Sequence, residues 1–310
     1  MIENINWYPG HMKKTRELIA ENLKMVDLVI EVTDARIPQS SRNPIIDELV
    51  KNKRRLIILN KSDLSDAAEN EKWTEYFIKN GAGALAMNCN SGAGAAKLLK
   101  RLSDIQAEKN EGQLRQKPLR MMIVGVPNVG KSSLINRLTG KKSAKTGDRP
   151  GVTRGKQWLN LENNMQLLDT PGILWPKFED PKAGLNLAFC GSIKDEILDV
   201  SELALELIDV LRKDYLKLLS QRYKLTEDDL CGLCGNGESA GDGAVSAEEA
   251  EIYNEYGEPV SPALYLMEAI ARRRGFILPG KRIDYERCAR TVLDEFRAGT
   301  IGRITLERCE

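Results

Sequence analysis

The chain has 310 residues, of which 42% are apolar and 29% are charged, and its formal net charge is +1 at pH 7. This length can hold two domains with a sizeable core, and the near-neutral charge excludes a polycation, so any nucleic-acid surface must be a local patch. Because the sequence lacks both an apolar run of 18 residues and a signal-peptide pattern, we expect a cytoplasmic protein without a membrane segment.

Six cysteines are scattered along the chain, at positions 89, 190, 231, 234, 288 and 309. In a cytosolic protein such cysteines are expected to be free thiols. Cys231 and Cys234 form a single C-x-x-C without a second pair at zinc spacing. We interpret it as a corner between a helix and a loop, with half a metal site or a redox pair as alternatives.

The N-terminal segment, residues 5–12, reads Ile-Asn-Trp-Tyr-Pro-Gly-His-Met and contains His11, the only histidine of the protein. From there to residue 124, apolar runs alternate with helical patterns. Strands are predicted at 27–32, 55–59, 84–87 and 119–124, and helices at 41–51 and 67–80. This alternation predicts a parallel sheet with helices on both faces, which binds ligands at the carboxyl ends of its strands.

Residues 125–132, Gly-Val-Pro-Asn-Val-Gly-Lys-Ser, fit the phosphate-loop pattern G-x-x-x-x-G-K-[ST] at every fixed position. The loop lies between a predicted strand and a predicted helix, so its N–H groups can surround a phosphate at a helix N-terminus. Lys131 can reach the β- and γ-phosphates, and Ser132 can offer its hydroxyl to Mg²⁺. The candidate phosphate-binding residues are Asn128, Val129, Gly130, Lys131, Ser132 and Ser133.

A predicted hairpin, 157–161 with 165–168, ends in Asp169-Thr170-Pro171-Gly172, which fits D-x-x-G. Asp169 can hold Mg²⁺ through water, and the Gly172 N–H can sense the γ-phosphate. Thr153, in the preceding loop, can close on Mg²⁺ when that phosphate is present.

Residues 60–63, Asn-Lys-Ser-Asp, match N-K-x-D at the end of a predicted strand. The Asp63 carboxylate can accept hydrogen bonds from N1–H and the 2-amino group of guanine. Adenine offers neither donor there, so a buried Asp63 would be left unpaired against it. The Lys61 stem can cover the base, and Asn60 can brace the loop. With the loop after the next strand, the candidate base-binding residues are Asn60, Lys61, Asp63, Asn88, Cys89 and Asn90.

The character of the chain changes near residue 200. Ser201 is a plausible N-cap for a helical stripe that runs from Leu203 to Leu218, and further helices are predicted at 264–273 and 285–297. We therefore predict two domains, a nucleotide-binding α/β domain at 1–195 and a smaller all-α domain at 196–310.

The order of the loops is unusual, because both base loops precede the phosphate loop. In this order, and in the fragments W-Y-P-G-H-M, D-A-R-I-P, N-K-S-D, P-G-V-T and D-T-P-G-I-L, the chain resembles the circularly permuted GTPases of the YlqF or RbgA family, ribosome biogenesis GTPase A. The resemblance implies a circularly permuted P-loop GTPase domain with a mostly parallel six-stranded sheet. It also implies a GTP hydrolase that acts late in assembly of the large (50S) ribosomal subunit and is stimulated by it. A switch acting on a protein effector, or on the small subunit, remains the alternative.

The residue after D-T-P-G is Ile173, where ordinary small GTPases have a water-orienting glutamine. The resemblance points to His11 as the catalytic replacement, whereas packing of the N-terminal segment is its other reading. Related GTPases also use an asparagine at the position of Asn128 to bind K⁺, whereas bracing of the loop is the alternative. The expected cofactors are therefore Mg²⁺ and, if Asn128 binds it rather than bracing the loop, K⁺.

Two basic clusters are candidates for contact with ribosomal RNA. Residues 141–156 carry six basic side chains and one acidic side chain, a local charge of +5, and residues 272–274 are three arginines. Charge alone equally fits an ordinary solvated surface. The candidate RNA contacts are Lys141, Lys142, Lys145, Arg149, Arg154, Arg272, Arg273 and Arg274. Away from the ribosome we expect a monomer.

Overall fold

A computed structural model of the chain describes residues 16–17, 19–140, 157–169, 180–231, 233, 252–253 and 259–309. The chain divides into two compact units, Met1–Lys194 with Arg303–Glu310, and Asp195–Gly302. The division after residue 195 stays a prediction, and in this partition Asp195 groups with the second unit and the last eight residues group with the first. Among the described residues, no helix has the length and apolar character needed to cross a membrane.

The first unit is built on a six-stranded sheet. Its strands are Leu28–Asp34 (β1), Arg54–Asn60 (β2), Gly83–Ala86 (β3), Leu119–Val124 (β4), Gln157–Leu161 (β5) and Met165–Asp169 (β6). The spatial order is β3-β2-β1-β4-β6-β5, and only β5 runs antiparallel to its neighbour. This confirms the predicted sheet, in which every residue of β1 is buried because both faces are covered.

Five helices have defined bounds in the described part of the first unit, and three of them have side-chain caps. They are Pro44–Leu49 (α1), Ala67–Lys79 (α2), Ala95–Asn110 (α3), Lys131–Thr139 (α4) and Pro181–Phe189 (α5). The side chains of Asn43, Asp66 and Asp180 accept hydrogen bonds from the first turns of α1, α2 and α5. Each such cap stabilises its helix by about 1 kcal/mol, and Pro44 and Pro181 suit the first helical position.

Residues 303–309, here called the C-terminal strap, lie along the first unit. The Ile304 N–H donates to the Leu64 carbonyl at 2.9 Å, and the Leu306 N–H donates to the Arg36 carbonyl at 2.8 Å. The indole N–H of Trp73 donates to the Glu307 carbonyl at 2.9 Å. The strap therefore contacts the loops that follow β1 and β2, and helix α2.

The Glu307 carboxylate is the polar centre of the strap. It accepts hydrogen bonds from the backbone N–H of Gln39 at 2.7 Å and of Ser40 at 3.0 Å, and from the Asn186 side chain at 3.2 Å. Because Asn186 lies in α5, this one carboxylate connects α5 to the loop that follows β1.

The second unit is mainly helical, with Val200–Asp214 (α6), Leu216–Tyr223 (α7), Glu227–Cys231 (α8), Pro262–Arg274 (α9) and Tyr285–Arg297 (α10). The N-cap of α6 is Asp199 rather than Ser201, because the Asp199 carboxylate accepts from the N–H groups of Ser201 and Glu202. The predicted stripe is divided at Tyr215 between α6 and α7. Two short ribbons are present in addition, Ile252–Tyr253 with Pro259–Val260 and Ile277–Leu278 with Arg282–Ile283.

We expect Glu307→Ala to destabilise the protein by about 3 kcal/mol, because several hydrogen-bond donors lose a charged acceptor. Glu307→Gln keeps an acceptor oxygen and is expected to have a smaller effect. The measurement is the free energy of unfolding in urea. Glu286→Ala, which removes an exposed pair with Arg290, is the control and should change stability by less than about 0.5 kcal/mol. A Glu307→Ala protein as stable as this control would show that the Glu307 carboxylate does not stabilise the contact between α5 and the loop that follows β1.

Candidate nucleotide-binding site

The phosphate loop, residues 125–132, joins β4 to α4 and closely approaches its neighbours at two glycines. A Cβ on Gly130 would lie 2.1 Å from Nδ2 of Asn60, and a Cβ on Gly125 would lie 2.4 Å from the Val32 carbonyl oxygen. Both glycines also have positive φ values, +98° and +147°. Only glycine fits both positions, as the motif predicts.

Lys131 begins α4 and is buried, and its side chain folds back over the loop. Its ammonium donates hydrogen bonds to the carbonyls of Gly125 at 3.1 Å and Val126 at 2.7 Å. The half-buried Ser132 and Ser133 follow in the first helical turn. A cation and a helix N-terminus thus occur together, which is the arrangement that binds phosphate.

Asn60, the last residue of β2, connects the phosphate loop to the two predicted base loops. Its side-chain N–H donates to the Val129 carbonyl at 2.7 Å, and its side-chain oxygen accepts from the Cys89 N–H at 2.9 Å. Asn60 itself belongs to the N-K-S-D loop. Three loops that lie far apart in the sequence therefore meet at one buried amide.

A buried ion network lies beside Asn60. Asp34 at the end of β1 accepts two hydrogen bonds from the Arg36 guanidinium, at 2.9 and 2.8 Å, and pairs with the Lys61 ammonium at 2.8 Å. Burial alone would raise the pKa of Asp34, but Arg36 and Lys61 hold that pKa well below its usual range. Neither Asp34 nor Arg36 was predicted from the sequence to be a site residue. The sequence did contain a signal for Asp34, because Asp34 and Asn60 both lie where a predicted strand ends. In the structure these two residues are paired in register on neighbouring parallel strands.

The N-K-S-D loop presents an exposed carboxylate. Asp63 is exposed, whereas Lys61 has a left-handed backbone with φ of 60° and its carbonyl accepts from the Leu64 N–H at 2.9 Å. The Ser62 N–H donates to the Met87 carbonyl at 3.2 Å, which holds this loop against the chain that follows β3. The Asp63 carboxylate is thus accessible for a ligand at the carboxyl edge of the sheet.

The second base loop, residues 88–91, is held by hydrogen bonds within the loop and by hydrogen bonds from α4. The Asn88 side-chain oxygen accepts from the N–H of Asn90 at 2.8 Å and of Ser91 at 3.0 Å. Arg137 of α4 donates to the carbonyls of Cys89 at 3.3 Å and Asn90 at 2.5 Å, a contact that the sequence did not reveal. Burial raises the pKa of the Cys89 thiol to about 12, so this residue stays a neutral structural thiol.

Asn128 lies in the phosphate loop with φ of 60°, and its side-chain N–H donates to the Gly191 carbonyl at 2.6 Å. The Ser192 hydroxyl donates to the Pro127 carbonyl at 2.9 Å. The segment after α5 therefore supports the phosphate loop from one side. This contact is the loop bracing that the sequence left open as an alternative for Asn128.

Several predicted residues lie outside the described part of the structure. They are His11, Thr153 and Gly172 of the site, Cys234, and the basic residues Lys141, Lys142, Lys145, Arg149 and Arg154. Asp169 ends β6 beside β4, and only its backbone is described. Among the described residues, no group of three or more His, Cys, Asp and Glu side chains is arranged to hold a metal ion. Cys89, Cys190, Cys288 and Cys309 are free thiols, as predicted.

The three arginines at the end of α9 have acidic partners within the second unit. Arg272 pairs with Glu268 at 3.0 Å, and Arg273 pairs with Asp229 at 2.6 Å. Arg274 pairs with Glu295, a carboxylate that also pairs with Arg222. These carboxylates offset much of the positive charge that the sequence assigned to an RNA-binding patch.

We expect Asn60→Ala to lower the affinity for GDP about 100-fold, because the Val129 carbonyl and the Cys89 N–H both lose a buried partner at about 1–3 kcal/mol each. Titration calorimetry measures this affinity. Asn80→Ala removes an exposed amide at the end of α2 and is the matched control, which should bind GDP within about twofold of wild type. Equal affinities of the two variants would show that Asn60 does not organise the site.

The ion network predicts a pH dependence. Because the pKa of Asp34 is lower in the folded than in the unfolded chain, its contribution to stability is complete above about pH 4 and is lost as pH falls further. Asp34→Asn removes the buried carboxylate that faces Arg36 and Lys61, and we expect a loss of about 3–5 kcal/mol at pH 7. The difference in unfolding free energy between wild type and variant should shrink below pH 4. A difference independent of pH would contradict the network.

Comparisons with known proteins agree with this geometry. A family model described as 50S ribosome-binding GTPase matches residues 120–230. A Priestia megaterium protein named Ribosome biogenesis GTPase A is 42% identical, covering 98% of this chain and 96% of its own length. A GDP-bound structure of TM YlqF and a GNP-bound structure of YlqF from T. maritima are each 27% identical with a TM-score of 0.61, covering 94% and 96% of this chain and 98% and 99% of their own. The chain belongs to the ribosome biogenesis GTPase A family.

Proposed function

We propose that this protein hydrolyses GTP as a late assembly factor of the large ribosomal subunit. The observation that carries the nucleotide assignment is the Asn60 amide, which holds the phosphate loop and both base loops together. The names of the relatives and of the matching family support the ribosomal partner. GTP and GDP are the expected ligands, and the cytoplasm is the expected location.

Guanine is recognised by the exposed Asp63 carboxylate, which accepts from N1–H and the 2-amino group. Lys61 is anchored by Asp34, and its stem lies against the base. Asn88, Cys89 and Asn90 form the wall on the other side of the base. Once a bound base covers this carboxylate, an adenine would leave Asp63 without donors, which is the physical origin of selectivity for GTP.

The phosphates are bound by residues 128–133, with the Lys131 ammonium exchanging its two loop carbonyls for the more strongly accepting β- and γ-phosphate oxygens. The oxygen donors fit Mg²⁺, which takes hydroxyls, phosphate oxygens and water rather than a closed protein cage. Ser132 and Thr153 are its expected ligands, and Asp169, at the end of the strand beside β4, would act through water. The bound ion would neutralise charge on the phosphates. Gly172 would sense the γ-phosphate.

Hydrolysis needs a group that replaces glutamine at position 173, which is isoleucine. His11, the only histidine, is our candidate for orienting the attacking water. Asn128 is the candidate K⁺ ligand, and its contact with Gly191 would hold its amide in place at the phosphate loop. K⁺ bound there would add positive charge where the γ-phosphate leaves.

Ribosomal RNA is the proposed partner of the basic residues in 141–156, and of Arg272, Arg273 and Arg274 after exchange of their carboxylate partners. The pairing of those three arginines is also the observation that favours the second candidate, a switch acting on a protein effector. A third candidate acts on the small subunit. We expect a monomer in the absence of ribosomes.

The test is GTP turnover with purified large or small ribosomal subunits, in K⁺ or Na⁺ buffer. We expect the large subunit, but not the small subunit, to raise the turnover rate by at least about tenfold, which corresponds to an activation barrier lower by about 1.4 kcal/mol. We also expect turnover to be faster in K⁺ buffer than in Na⁺ buffer. His11→Ala should lose about 100-fold in stimulated turnover and keep its affinity for GDP. A turnover rate that neither subunit changes would overturn the assembly proposal and leave a switch acting on a protein effector as the remaining candidate.

A further inference from the structure

An arginine of the C-terminal strap contacts the outer side of the N-K-S-D loop, the loop proposed to bind guanine. Arg303 donates from Nε to the Ser65 carbonyl at 2.8 Å and from Nη2 to the Ser62 carbonyl at 2.9 Å. These two carbonyls lie on either side of Asp63 in the chain. One planar guanidinium therefore fixes the separation and direction of two peptide groups that flank the candidate base-binding carboxylate.

The arginine is delivered from a fixed backbone. Next to it, the Ile304 N–H donates to the Leu64 carbonyl at 2.9 Å, and the Thr305 hydroxyl accepts from the Asp66 N–H at 3.0 Å. Both Ile304 and Thr305 are buried. The strap thus follows the loop along residues 62–66, and Arg303 has little freedom to leave its two carbonyls.

The loop needs such support because its own conformation is unfavourable. Lys61 has φ of 60°, a left-handed backbone that costs a residue other than glycine about 1–3 kcal/mol. Asp63 is exposed, so packing does not fix its position. In the neighbouring base loop, Arg137 similarly donates to two carbonyls, those of Cys89 and Asn90. Each base loop is therefore held by one arginine, and the arginine of the N-K-S-D loop comes from the C-terminal end of the chain.

We propose that Arg303 is a positioning residue for guanine recognition, so that the selectivity of the site depends on the C-terminal strap. The proposal rests on the assignment of Asp63 as the acceptor for N1–H and the 2-amino group of guanine. Arg303 does not contact the base. It places Asp63 where the carboxylate accepts both donors at once.

The test compares GDP with IDP, whose hypoxanthine base keeps N1–H and lacks the 2-amino group. In the full-length protein, we expect Arg303→Ala to weaken GDP binding about tenfold and IDP binding about twofold, so that the GDP preference narrows about fivefold. Arg303→Lys retains hydrogen-bond donors but lacks the planar guanidinium, so its preference for GDP over IDP should lie between those of wild type and Arg303→Ala. Arg290→Ala removes an exposed guanidinium of α10 and should keep the wild-type preference.

Asp63→Ala separates the possible failures, since it should remove most of the preference for GDP over IDP. If it does, and Arg303→Ala and Arg303→Lys both keep the wild-type ratio, then Arg303 is merely structural and the inference is overturned. Thermal unfolding of each variant is measured in parallel, because a loss of stability without a change in ratio also counts against it. If Asp63→Ala keeps the wild-type ratio, the guanine assignment falls, and the role of Arg303 falls with it.

Discussion

The arrangement of the site depends on one buried carboxamide, that of Asn60. A carboxamide offers a donor and an acceptor on the same short side chain, and here the donor binds the Val129 carbonyl while the acceptor binds the Cys89 N–H. A carboxylate would present an oxygen to the Val129 carbonyl and repel it. The absence of a side chain on Gly130 is the matching half of this contact, because the amide occupies the space that a Cβ would fill. The phosphate and base loops are thus one polar unit rather than three separate features.

A buried group of charged side chains lies beside these three loops and supports them. Asp34 binds Arg36 and Lys61 in the interior, where a lone carboxylate would be strongly unfavourable, and the two cations together compensate its desolvation. The Arg36 carbonyl in turn accepts from the Leu306 N–H of the strap. The segment that follows β1 therefore orders a base-loop lysine on one side and receives the C-terminal strap on the other.

Much of the fold and of the candidate site was predictable because its signals are local. Alternating strands and helices predicted the parallel sheet, and the fixed glycines of residues 125–132 predicted the loop that the structure shows. The strap was not predictable in this way, because Arg303 and Ser62 are separated by 241 residues and neither has a local pattern that marks the contact. The cap at Asp199 was assigned to Ser201, since both residue types cap helices and they lie two positions apart. The stripe from Leu203 to Leu218 kept a helical period, which hid the break at Tyr215.

The course of the chain gives the strap a further physical meaning. Residues 195–302 form the second unit, so the chain leaves the first unit after α5 and returns to it at Arg303. Near these two crossings, Asn186 of α5 donates to the Glu307 carboxylate of the strap at 3.2 Å. A hydrogen bond to a charged group of this kind stabilises by about 1.5–3 kcal/mol. This contact ties α5 to the strap, and the strap's Arg303 in turn donates to the carbonyls of Ser62 and Ser65.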